Sequence, residues 1–237
     1  MPNWTYNRIK CKKEIGYKLL TIKNDIYSLD FNKLIPMPED LKLDAGSIES
    51  DSISCYYLSL NDDEKYKLMK LLKSKEIFFH HDYWNKYKKD IKYYESNPDK
   101  LKNNKDNFNG LIDFDDKKHF NSLAELGKQY IENIKKYGYP QWYDWCVENW
   151  GTKWNVEDDV DVSYNKNTDE YDITFDTAWS VPSGIVEKYS EFCNDEEFYW
   201  EYEDEDYDGT HILRKINGEI IDTILPDNVK ENDHLDV

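Results

Sequence analysis

Tyr171-Asp172-Ile173-Thr174-Phe175-Asp176-Thr177 decides how the rest of the chain is read. Apolar or β-branched side chains stand at every second position, with acidic or polar ones between them. Successive side chains of a strand point to opposite faces, so this pattern predicts a strand with one face on a core and the other in water. Downstream, Pro182 opens a short helix whose Ile185, Val186, Tyr189 and Phe192 face inward. Phe198, Trp200 and Tyr202 then alternate with Glu197, Tyr199, Glu201 and Glu203, a further strand. Thr210–Ile216 and Glu219–Ile224 flank Asn217-Gly218, the strongest short-range hairpin signal a sequence offers. Upstream, Val156, Val160 and Val162 begin a strand that a polar turn around Asn165-Lys166-Asn167 breaks.

Before Gly151 the period is helical. Asn61 and Glu64 have capping-box spacing, and Leu68, Met69, Leu71 and Leu72 follow. His80 to Tyr94 carries Tyr83, Trp84, Tyr87, Ile91 and Tyr94 at helical spacing. Ser122 and Glu125 repeat the capping-box spacing ahead of Leu123, Leu126, Tyr130, Ile134 and Tyr137, with Gly138 as the stop. Pro140 suits the first turn of a helix that places Trp142, Trp145, Cys146 and Asn149 on one face. Residues 99–109 read as a polar loop or frayed helix. Glu39 to Tyr57 reads as irregular, with a short strand around Ile53 to Leu58, and Leu29 to Pro38 as extended. The opening Asn3 to Cys11 alternates and suits a first strand.

Strand, long helical stretch, strand, strand, helix, strand is the order of a ferredoxin-like α+β sandwich. The expected fold is an antiparallel sheet with helices on one face, a helical insertion after the first strand and an extra C-terminal β-hairpin. Residues 1–237 are read as one such domain, with 43–118 as a helical insertion subdomain.

Of 237 residues, 34% are charged, which alone would suggest disorder, but 16% are aromatic, and disordered chains are poor in aromatics. A folded chain is expected. No run approaches the roughly 20 apolar residues that cross a bilayer, and the first residues lack the pattern of a signal peptide. Cys11, Cys55, Cys146 and Cys193 are far apart and read as free, buried thiols. The cytoplasm of a host cell is the expected compartment. Charge is unevenly spread along the chain. Met1 to Trp154 holds 26 basic and 24 acidic residues, whereas Asn155 to Gly209 holds 19 acidic residues against two basic ones, a net of −17. Such a field repels phosphates and attracts a basic surface.

Several phrases resemble a known family. Met1-Pro2-Asn3-Trp4 with Asn7, Asp30 to Pro38, Asn149-Trp150-Gly151-Thr152-Lys153-Trp154 and Phe175-Asp176-Thr177-Ala178-Trp179-Ser180-Val181-Pro182 are similar to the YubB-like ferredoxin-like proteins of phages, prophages and plasmids. The resemblance implies a ferredoxin-like fold and a home on mobile genetic elements. It carries no established activity and no catalytic residues.

Candidate chemistry is sparse. Adjacent His80 and His81 would point about 100° apart on a helix and cannot chelate as an i, i+4 pair could. No phosphate-binding glycine loop or nucleophile motif occurs. No catalytic residue, metal site or cofactor is expected. Two surfaces remain. Asn149, Trp150, Lys153 and Trp154 suit a nucleotide or small-ligand platform, or else a helix end whose tryptophans plug the sheet. Asp172, Asp176, Glu197, Glu201, Glu203, Asp204, Glu205, Asp206 and Asp208 suit an acidic partner-binding face, or else a solvated one. The leading expectation is a non-enzymatic acidic protein that binds and inhibits a basic, nucleic-acid-handling host defence protein, such as a CRISPR effector or restriction nuclease. Direct nucleic-acid or membrane binding is not expected. The alternatives are a small-ligand binding protein and a structural accessory protein of a phage.

Overall fold

The computed structural model describes residues 3–23, 26–77, 81–97, 116–156, 159–205 and 209–225. In chain order the elements are β1 (Trp4–Lys12), α1 (Lys13–Leu19), β2 (Leu20–Lys23), β3 (Ile26–Leu29), α2 (Ser47–Ser59), α3 (Asp62–Lys73), β4 (Glu76–Ile77), β5 (His81–Asp82) and α4 (Tyr83–Ser96). There follow α5 (Asp116–Tyr137), α6 (Trp142–Trp150), β6 (Val160–Asn165), β7 (Glu170–Ala178), α7 (Ser183–Ser190), β8 (Tyr199–Glu203), β9 (Thr210–Ile216) and β10 (Glu219–Leu225). The chain forms two compact units: Met1–Met37 with Trp145–Val237, and Pro38–Asp144.

The first unit is built on a six-stranded sheet in the order β10-β9-β8-β1-β7-β6, with every neighbouring pair antiparallel. Strands β1, β6, β7 and β8 stand as β8-β1-β7-β6, with α7 joining β7 to β8. This is the ferredoxin-like arrangement, extended at the β8 edge by the β9–β10 hairpin. The hairpin turn is Asn217-Gly218, both at positive φ (52° and 84°), the geometry of a two-residue type I′ turn.

One face of the sheet is a core and the other is open. Thr5, Asn7, Ile9 and Cys11 of β1, Tyr171, Ile173, Phe175 and Thr177 of β7, and Trp200 and Tyr202 of β8 are buried. Ile185, Val186 and Tyr189 of α7 are buried too, and the Tyr189 ring lies 5.9 Å from Trp200. Burial of each such large side chain contributes about 2–3 kcal/mol. Asn7 is buried in this layer beside the hydroxyl-bearing Thr5 and Thr177. Its amide donates to the Thr5 carbonyl and the Thr177 hydroxyl, each at 2.9 Å, and accepts from the Trp200 indole at 3.1 Å. With both ends of the amide bonded, its burial costs little and ties β1, β7 and β8 together.

The second unit is helical, and it corrects two local expectations. Residues 47–59 are helix α2, where an irregular stretch with a strand at 53–58 was expected. Both faces of α2 carry buried residues, and many are polar: Glu49, Asp51, Ser52 and Ser54 are buried beside Ile53 and Cys55. A helix whose buried face holds carboxylates has no apolar period to read. Tyrosines from α4 satisfy those carboxylates: the Tyr94 hydroxyl donates to Asp51 at 2.6 Å, and that of Tyr87 donates to Glu49. The Ser122–Glu125 pair caps nothing. Helix α5 already runs from Asp116, and Ser122 bonds back to the Lys118 carbonyl at 3.0 Å. The Asn61–Glu64 capping box forms as its spacing predicts, with both bonds at 3.0 Å. His80 and the 99–109 loop lie outside the described residues.

Candidate interaction surface

The open face of the sheet gathers side chains from three adjacent strands. On β1 it carries Trp4, Tyr6, Arg8, Lys10 and Lys12; on β7 Glu170, Asp172, Thr174 and Asp176; on β8 Tyr199, Glu201 and Glu203. Register places Tyr6 between Asp176 and Glu203, and Arg8 between Thr174 and Glu201. Four of the expected partner-binding carboxylates, Asp172, Asp176, Glu201 and Glu203, thus converge around β1.

They do not form an unbroken acidic sheet. Arg8 reaches diagonally to Asp172 in a two-point contact at 2.8 and 2.6 Å. That bond holds the Asp172 carboxyl below the usual carboxylate range, against the opposing effect of burial. Lys12 pairs with Glu170 at 2.8 Å. Tyr199 donates to Glu201 at 2.6 Å, while Lys10 and Arg214 lie over the Tyr199 ring at 5.6 and 4.3 Å. The half of the face toward Lys10 and Lys12 is therefore balanced. Toward Trp4, the β1 residue in register with both Asp176 and Glu203 is Tyr6. Burial and the neighbouring Asp159 charge push the Asp176 carboxyl up. Thr210 donates to Glu203 at 2.6 Å, which orients that carboxylate at the edge of β8.

The remaining expected residues serve local structure or surface. Glu197 closes a turn by accepting from the Asn194 amide at 3.2 Å. Asp204 accepts from the buried Thr5 hydroxyl at 2.7 Å, and Glu205 is exposed next to it. Asp206 and Asp208 lie outside the described residues.

The second candidate group is split by the fold. Trp150 is only 3% exposed; its indole donates to the Ile35 carbonyl at 2.9 Å and packs edge-on to Phe31 and Trp145. Asn149 turns back to the Trp145 carbonyl at 2.9 Å, satisfying the last turn of α6. Gly151, at φ +83°, reverses the chain, and a Cβ there would meet the Ser183 amide at 2.5 Å. Lys153 and Trp154 face outward instead. The Lys153 ammonium lies 4.3 Å from the Trp154 ring and 4.9 Å from that of Trp179. Trp4 stands 6.0 Å from Trp154. Three phrases far apart in the chain, around Asn3-Trp4, Asn149–Trp154 and Phe175–Pro182, meet here. Trp4, Tyr6 and Trp179 carry no signal in isolation, since a single tryptophan reads as core until its strand face is known.

Trp179 has a left-handed backbone, φ +77°, rare for so bulky a residue. The segment is held by hydrogen bonds. The Trp179 amide donates to the Asn3 carbonyl (2.8 Å), the Thr152 hydroxyl to the Ala178 carbonyl (2.8 Å), the Ser180 hydroxyl to the Gly151 carbonyl (2.6 Å) and the Thr177 hydroxyl to the Ser180 carbonyl (2.8 Å).

The helical unit has a separate concavity of about 390 Å³, lined in part by Glu49, Asp51, Lys86, Asp90, Gln141 and Asp144. Lys86 sits 2.7 Å from Glu49 and 3.1 Å from Asp144, and Gln141 donates to Glu49 at 3.0 Å. Burial opposes the Lys86 charge, yet the two carboxylates outweigh it and keep the ammonium's pKa above the ordinary value. Among the described residues no group of three or more His, Cys, Asp or Glu could hold a metal ion, and no helix is long and apolar enough to cross a membrane.

Residues 149–236 match a family described as the ferredoxin-like domain in Api92-like protein. That stretch covers the sheet from β6 to β10 together with α7, and it agrees with the strand order above. No curated protein and no solved structure matches the chain.

Proposed function

We propose that this is a binding protein rather than an enzyme, carried by a phage, prophage or plasmid, which docks the open face of its sheet on a basic, nucleic-acid-handling host defence protein and blocks it. The observation that carries this reading is the convergence of Asp172, Asp176, Glu201 and Glu203 on one solvent-facing sheet surface around Tyr6 and Arg8. Carboxylates at a fixed spacing on a rigid sheet resemble a phosphate backbone in charge and would compete for a groove meant for guide or target. The same charges disfavour nucleic acid as a ligand. Aromatic residues among them supply contact area at small entropic cost. The resemblance to proteins of mobile elements makes a host defence nuclease, such as a CRISPR effector or restriction enzyme, the natural target.

The test uses purified CRISPR effectors and restriction nucleases of candidate hosts against the full chain and a variant with Asp172→Asn, Asp176→Asn, Glu201→Gln and Glu203→Gln. The proposal expects one of these proteins to bind, with an affinity that falls steeply with salt and is lost in the variant. Undiminished binding or inhibition by the variant would overturn it.

A further inference from the structure

We propose that Trp4, Trp154 and Trp179 form a cation-reading site at the Trp4 end of the open face, shaped to take an arginine side chain of a basic protein partner, with Lys153 holding the place beforehand. The inference rests on the docking reading above and names what the aromatic end of that surface would recognise.

The indoles are exposed by 47, 38 and 46% respectively, so each leaves part of its apolar surface open to solvent. An ammonium already sits within cation–π range of two rings, at 4.3 and 4.9 Å, so the spacing of the ring faces admits a cation. The base beneath is rigid. Thr152, Ser180 and the Trp179 amide bond the three converging segments to one another, which fixes the backbone that carries the rings before any partner arrives. Trp179 occupies a backbone region that favours glycine, yet its ring is not buried in return. A bulky residue held in that conformation with its ring at the surface points to use.

Charge selects the occupant. Asp176 lies two residues before Ala178, which pairs with Trp4, and on the same face. Asp159 adds to its field. These carboxylates repel an incoming anion and attract a cation, for which the resident Lys153 ammonium competes. Arginine suits the site better than lysine because its guanidinium is planar, weakly hydrated and stacks on indole, whereas the Lys153 ammonium is strongly hydrated and sits on a flexible stem. Lys153 therefore gives way to it.

The test follows the indole N–H resonances of the full chain by NMR during titration with N-acetyl-arginine amide, and with the neutral isostere N-acetyl-citrulline amide as control. Saturable shifts confined to Trp4, Trp154 and Trp179 are expected with arginine and not with citrulline. Lys153→Met is expected to tighten the arginine response by about threefold or more, since the resident cation is gone. Trp179→Gly fits the positive φ, so it should fold at least as well as the parent and yet lose the response. Equal shifts with citrulline, a weaker response in Lys153→Met, or a full response in Trp179→Gly would each overturn the proposal. The titration contains no partner protein, so its failure leaves the docking reading standing. Partner binding that survives neutralisation of the four carboxylates defeats the docking reading instead.

Discussion

Arg8 and Asp172 bridge β1 and β7 on the open face, with Nε donating to Oδ1 at 2.8 Å and Nη2 to Oδ2 at 2.6 Å. Both side chains remain about one-third exposed, so water screens the pair and its contribution to stability is about 1 kcal/mol. Arg8→Met should cost about that much at neutral pH while making the face more acidic. Association with a basic partner at low salt should then be faster than for the parent, as stopped-flow fluorescence would register.

The same pair sets an acid dependence. The Asp172 carboxyl is held below its ordinary value in the folded state, so its contribution is present above the unfolded carboxylate pKa of about 4 and is lost as pH falls through the lower folded value. Urea midpoints measured across that window should fall more steeply with acid in the parent than in Arg8→Met. Parallel profiles would contradict the assignment.

Glu49 anchors the polar interior of the helical unit. Glu49→Ala strips partners from Lys86, Gln141 and the Tyr87 hydroxyl at once. Glu49, Gln141 and Tyr87 are buried, so leaving the amide and hydroxyl without their acceptor should destabilise the unit by about 3 kcal/mol. Denaturant unfolding followed by helical circular dichroism is the measurement, and a loss under about 1 kcal/mol would show the network to be dispensable.

Two glycines should separate crowding from backbone strain. A Cβ on Gly127 would lie 2.0 Å from the Ser52 carbonyl, where α5 meets α2, so Gly127→Ala should cost about 3 kcal/mol. Gly138 has open space around it but φ +88°, so Gly138→Ala should cost only about 1 kcal/mol. Thermal melts of the two variants test the order, which matters more than either value.

All four cysteines are free and buried. Burial pushes the thiols of Cys11 and Cys193 up to about 11 and those of Cys55 and Cys146 up to about 12. Near pH 8 at most about one molecule in a thousand carries a thiolate at any of them. A chromogenic disulfide reagent should therefore titrate four thiols quickly only after denaturant is added.

Alternation in Tyr171–Thr177, the Asn217-Gly218 turn and the Asn61–Glu64 capping box were legible because each is local: a period or a turn constrains only neighbours in the chain. Helix α2 was not, since Glu49 and Asp51 read as surface until tyrosines four decades of residues away supply their hydrogen bonds. Nor could spacing tell that Trp150 would be core and Trp154 surface, because Gly151 reverses the chain between them.

From its sequence alone the chain determined an α+β class, a ferredoxin-like strand order with an added hairpin, and a C-terminal half crowded with carboxylates. Only the tertiary structure decided which of those carboxylates share a face, that Arg8 interrupts them, that Trp179 joins Trp154 beside Lys153, and that Trp4 stands next to Trp154. Strand period follows from bonded neighbours, whereas charge pairing and aromatic clustering depend on register across β8, β1 and β7, which long-range hydrogen bonding sets.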